Sequence, residues 1–118
     1  MPILESNAIA TSDAVGSNAF AGVFGQTSPR FRHIKRVALT GGAAIGDTRV
    51  RFFLGTHFAG SYRNTTIGSG VSNPGAPAEA KDWIPVNMVA EPGEPMNLDL
   101  VTAPTTNQAR FVVEYEEL

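Results

Sequence analysis

The chain has 118 residues, 42% of them hydrophobic and 17% charged, with 12 glycines, 8 prolines and no cysteine. That length is one domain's worth and is enough to bury a core without staples. The missing cysteines exclude a disulfide scaffold, a thiol nucleophile and thiolate-bound zinc or iron–sulfur centres. The net charge is −2, but residues 30–63 hold seven of the nine basic residues against the single acid Asp47, a block of +6, and the remainder is −8. If the two blocks separate in space, one molecule offers complementary faces to another. If distant strands pair, the charges intermix instead.

High glycine and proline content favours many turns and short strands over long helices. Met1 to Ala10 has neither a basic stretch nor a long apolar run, so no signal peptide is read there and synthesis in the cytoplasm is expected. No stretch reaches the roughly 18 apolar residues of a membrane span.

Residues 1–29 are rich in Ala, Gly, Ser and Asn and carry only Glu5 and Asp13 as charges. Ile3, Leu4, Ile9, Val15, Phe20, Val23 and Phe24 recur without a clean period. The segment reads as an extended N-terminal arm that packs on its own domain or on a neighbour; the alternative is a flexible terminus. Residues 30–118 are then the domain proper. From Pro29 to Thr40 the signals conflict. Ser28-Pro29 can start a helix, but Ile34, Val37 and Thr40 are β-formers and Gly41-Gly42 marks a turn. A strand from Phe31 to Thr40 is preferred, with a bulge near Lys35-Arg36 where the alternation changes phase.

Asp47 to Phe58 alternates most clearly. Thr48, Val50, Phe52, Leu54, Thr56 and Phe58 share one face, and Arg49, Arg51, Phe53, Gly55 and His57 the other. One long strand is expected, joined to the strand before it by a hairpin-like Gly41–Gly46. A long Gly/Pro-rich loop follows, with a short strand near Ser61 to Ile67. Ile84, Val86 and Met88 then alternate, and Pro85 argues for a sheet edge. Met96, Leu98 and Leu100 alternate next, and finally Phe111, Val113 and Tyr115. Turns about every ten residues give an all-β fold of two packed antiparallel sheets, a β-sandwich.

No constellation for catalysis stands out. His33 and His57 lie among arginines without a carboxylate to orient them, and a two-histidine metal site would need their strands to pair. Glu114 and Glu116 share a strand face that Asp99 could meet, but a solvated face is the plainer reading. GGAAIG lacks the lysine of a P-loop and the spacing of a dinucleotide turn. Asn64-Thr65-Thr66 matches a glycosylation acceptor by chance composition. Neither an enzyme nor a cofactor is expected. Arg49, Arg51, Arg32 and Arg36, with Phe53 among them, suit an interface, since arginine and aromatics are enriched there and the chain has only two lysines. Nucleic acid is the weaker partner for a chain of this net charge. A carbohydrate- or ligand-binding module built on Trp83 and Tyr62 is the rival reading.

The stretches RFRHIKRVALTGGAAIGDTRVRFFLG, WIPVNMVAEPGEPMNLDLV and ARFVVEYEEL, over about residues 31–118, resemble in style the small β-sandwich or jelly-roll proteins of virus particles, of the minor capsid, vertex or decoration type. The resemblance implies a jelly-roll-like sandwich, a place in the virion, and a structural role whose partners are copies of itself or other particle proteins. On that analogy the Arg49/Arg51 face would dock on Glu114/Glu116 of the next copy.

Overall fold

The computed structural model describes residues 3–41, 46–64, 83–105 and 108–118. Among them every regular element is a strand: β1 Ile3–Glu5, β2 Arg32–Gly41, β3 Arg49–Leu54, β4 His57–Arg63, β5 Ile84–Ala90, β6 Met96–Thr102 and β7 Ala109–Glu117. They form two antiparallel sheets, ordered β1-β7-β2-β5 and β4-β3-β6. No helix among the described residues is long and apolar enough to cross a membrane.

Period-two alternation explains which faces meet. Val50, Phe52 and Leu54 of β3 and Met96, Leu98 and Leu100 of β6 turn inward from one sheet. Ile34, Val37 and Leu39 of β2 and Ala109, Phe111 and Val113 of β7 turn inward from the other. Ile34 and Val37 are an odd number of residues apart, so both can face inward only if the strand slips. It does: Ile34 sits opposite Tyr115 and Arg36 opposite Glu114, which leaves Lys35 as the extra residue of a bulge. β5 lies at a sheet edge, the position in which a strand proline such as Pro85 is tolerated. Asn87 on this strand has φ 52°, so its backbone is left-handed and the edge is irregular.

The centre of the core is a trio of phenylalanines. Phe20, Phe52 and Phe111 have ring centroids 6.2, 6.1 and 5.1 Å apart. Each is fully buried, and each such side chain contributes about 1.5–3 kcal/mol. Phe20 comes from the N-terminal segment. That segment therefore lies on the chain's own sandwich, and its Leu4, Ile9 and Phe20 belong to the main core.

The pairing is nested. β1 pairs with β7, β2 with β5 and β3 with β4. Between the first two of these, the irregular residues 16–17 bond to β6: Gly16 N–H donates to Leu100 O at 2.8 Å, and Leu100 N–H to Ser17 O at 3.1 Å. A long antiparallel ribbon has been folded over on itself and closed by β2–β7 and β3–β6 pairing. The sandwich is jelly-roll-like. Where a regular strand would flank β6, side chains stand in. Asn18 Oδ1 accepts from Leu98 N–H at 3.0 Å, and Gln26 Nε2 donates to Met96 O at 3.0 Å.

Two expectations about connections need correcting. The strand expected from 47 to 58 is two strands. The chain reverses at Gly55-Thr56, Leu54 faces His57, and Phe58 lies on the neighbouring strand. Gly55 has φ 62°, and a β-carbon there would lie 2.9 Å from the Glu94 carboxylate. A glycine is what makes the reversal possible. Residues 41–46 do not close a hairpin either, because β2 and β3 belong to different sheets. Residues 42–45, the far end of the strand read near Ser61 to Ile67, and the Gly/Pro-rich loop lie outside the described residues.

Candidate interaction surface

The outer face of the β4-β3-β6 sheet is built from the residues that alternate with the core. Arg49, Arg51 and Phe53 project from β3, Ser61 and Arg63 from β4, and Asn97, Asp99 and Val101 from β6. Register decides their neighbours. Arg51 stands opposite Asp99, and its Nε and Nη2 both donate to Asp99 Oδ2, the first at 3.1 Å. Its guanidinium also lies 5.7 Å from the centre of the Phe53 ring, which packs on Phe58 at 5.5 Å.

Arg49 stands directly opposite Arg63. Both are exposed, and neither has an ion-pair partner among the described residues. Like charges at directly opposed sheet positions are destabilising. The two arginines border a groove of about 600 Å³, whose lining also includes Arg51, Ser61, Tyr62 and Val101.

The other outer face treats its cations differently. Arg36 Nε and Nη2 donate to the two oxygens of Glu114 at 3.1 and 3.0 Å, a fork-to-carboxylate pair. Its guanidinium also covers the Trp83 ring at 4.7 Å. Lys35 Nζ is 3.5 Å from Glu116. Glu114 and Glu116 thus meet cations of their own chain, and the sequence-distant charge blocks interleave across β2 and β7. Asp99, on the opposite sheet, does not join these two glutamates.

Arg32, read from the sequence as an interface residue, is 4% exposed. Its Nη2 donates to Gly25 O at 2.6 Å, and its guanidinium lies 5.1 Å from the Tyr115 ring centre. Burial lowers its pKa, opposed by nearby Tyr115 and Glu117. It ties residues 3–29 to the sandwich and is not available to a partner.

Trp83 and Tyr62 do not share a site. Trp83 packs on Ala38 and Val112, outside the four-stranded sheet. Tyr62 turns into the core, 5.7 Å from Phe111, and its hydroxyl donates to Ala59 O at 2.7 Å. Burial raises its pKa. Gly60 leaves room for that ring, since a β-carbon would come within 2.5 Å of the Tyr62 oxygen.

The two histidines are also apart. His33 lies on β2 and His57 on β4, in different sheets, and His57 Nδ1 is 2.9 Å from Glu94 Oε2. Asn64 is fully buried. It accepts from Gly46 N–H at 2.8 Å and Thr48 N–H at 3.1 Å, and donates to Gly41 O at 2.8 Å. It is a clip between β2, β3 and the end of β4, and its amide is not presented for glycosylation.

The sequence reading missed Arg63 as the partner of Arg49, Asp99 as the partner of Arg51, and Phe58 as the neighbour of Phe53. One signal held all the β4 pairings: a turn at Gly55-Thr56 folds position 49 back onto 63 and 53 onto 58. No family model, curated protein or solved structure matches the chain.

Proposed function

We propose that this chain is a non-catalytic structural subunit of the virus-particle type, a capsid, vertex or decoration protein, that associates with copies of itself or with a larger particle through the outer face of β4-β3-β6. The observation that carries this reading is the Arg49–Arg63 pair: two exposed cations in direct register with no ion-pair partner among the described residues, on the same sheet face as the aromatic pair Phe53 and Phe58. Phe58 is 55% exposed. Arginine and aromatic side chains together are the composition of an interface core. The jelly-roll-like sandwich supports the particle role by analogy of fold.

An acid open to such a contact on another copy is Glu117, which is exposed, whereas Glu114 is held by Arg36 and Glu116 lies 3.5 Å from Lys35. Reversing charge at Arg49→Glu with Arg63→Glu leaves the Arg51–Asp99 pair and the core in place. Sedimentation at low salt should show the variant lighter than the parent chain, with an unchanged circular dichroism spectrum. Equal sedimentation of an oligomeric parent and its variant would remove this face from assembly.

A further inference from the structure

We infer that Arg49 and Arg63 form a carboxylate-binding site, and that its occupant is an acidic segment of a partner protein in extended conformation. The inference rests on the docking reading above and names the chemistry of the partner.

The first ground is the cost of the arrangement. Arg49 and Arg63 face each other across β3 and β4, where opposed side chains have β-carbons about 4.5–5.5 Å apart. Three other cations on the described sheet faces stand beside an acid: Arg36 with Glu114, Lys35 with Glu116, Arg51 with Asp99. The repulsion between Arg49 and Arg63 is relieved when one oxyanion lies between them, accepting from both guanidinium groups.

The second ground is shape. The groove beside the pair has a volume of about 600 Å³ and combines these cations with Val50, Tyr62 and Val101 and with Ile84 of β5 in the other sheet. A mixed lining of that kind suits a segment whose charged side chains alternate with apolar ones.

The third ground selects carboxylate over phosphate. Asp99 already shows a carboxylate held by Nε and Nη2 of Arg51 on this face. The net charge of the chain is −2, and the repulsion this puts on an anionic partner grows with the partner's charge, so a short acidic segment is opposed less than a polyanion such as nucleic acid.

The test is a titration of the full chain with a capped peptide alternating glutamate and valine, read by calorimetry and by the arginine Nε–H resonances. The expected result is binding that weakens with salt and falls about tenfold in Arg49→Gln or Arg63→Gln, with Arg30→Gln, an exposed arginine elsewhere, unchanged. Equal binding by the parent chain and Arg63→Gln, or no binding by the parent chain, overturns the site. Tighter binding of a single-stranded oligonucleotide than of the peptide overturns the choice of carboxylate. A second measurement needs no ligand. If the pair is kept for binding, Arg63→Gln at low salt should raise the melting temperature by about 1–3 °C, because a repulsion is removed. A lower melting temperature would make Arg63 a structural residue and end the proposal. Failure of the docking reading looks different: a chain that stays monomeric by light scattering yet binds the peptide keeps the site and loses self-assembly.

Discussion

The two outer faces of the sandwich use the same side chains to opposite effect. On β2 and β7, Arg36 and Lys35 are answered by Glu114 and Glu116 on the adjacent strand, and Trp83 lies under the Arg36 guanidinium against Ala38 and Val112. On β3 and β4, Arg49 meets Arg63, and the aromatic pair Phe53 and Phe58 leaves Phe58 open to solvent. On the first face Arg36 and Lys35 are met by acids of their own chain. The second leaves Arg49 and Arg63 without an ion-pair partner among the described residues and Phe58 exposed. A basic patch in a sequence therefore says little until register shows which cations are already answered.

The sharpest break in that contrast should come at Trp83. Trp83→Ala uncovers Ala38 and Val112 and removes the ring beneath Arg36. Urea unfolding should show a loss of about 2–3 kcal/mol, below the full range for a core tryptophan because the ring is only partly buried. The matching change on the open face, Phe58→Ser, should cost under about 1 kcal/mol. Equal losses would make the two faces alike.

Removing the acids should show a smaller contrast. Glu114→Gln weakens a two-bond pair whose Glu114 side chain is 16% exposed, and a loss of about 1 kcal/mol is expected. Asp99→Asn acts on a pair whose side chains are 50% and 30% exposed, so its stability change should stay below about 0.5 kcal/mol. It should instead make stability more dependent on salt, since Arg51 then joins an unanswered cluster. Chemical denaturation at two ionic strengths separates the two outcomes.

The smallest effect concerns pH at the tip of the β3–β4 hairpin. Glu94 is held below the usual glutamate range, first by the Glu91 N–H bonding its carboxylate at 2.7 Å and then by His57, with burial opposing. A carboxyl whose folded pKa is depressed contributes stability above its unfolded pKa and loses it as pH falls through the folded value. Acid unfolding of Glu94→Gln should accordingly be flatter with pH, below the ordinary glutamate range, than that of the parent chain.

Much of the fold was legible because it rests on local alternation. The runs at Val50–Leu54, Met96–Leu100 and Phe111–Tyr115 turn the expected residues inward; Pro85 marks an edge; the change of phase at Lys35 marks a bulge. What was not legible depends on contacts far apart in sequence. The period of two carries on through Gly55-Thr56, so pattern alone gives no sign that the chain reverses there. Which strands share a sheet is set by the nested pairing, and this is why Gly41–Gly46 crosses between sheets. Residues 3–29 have no period because they hold the sandwich by single anchors: Ile9 and Phe20 in the core, Asn18 and Gln26 on the β6 edge. The outer face of β4-β3-β6 was partly legible. Arg49, Arg51 and Phe53 could be read from β3, but Arg63 and Phe58 appear only once the hairpin is known.

The most direct test of docking through this face is the solution mass of the full chain by light scattering, over a range of concentration and from about 0.05 to 1 M salt. A mass above the 12.5 kDa of one chain at low salt, falling toward it as salt screens Arg49 and Arg63, is the predicted result. A mass of 12.5 kDa at every concentration and salt would contradict self-assembly through this face.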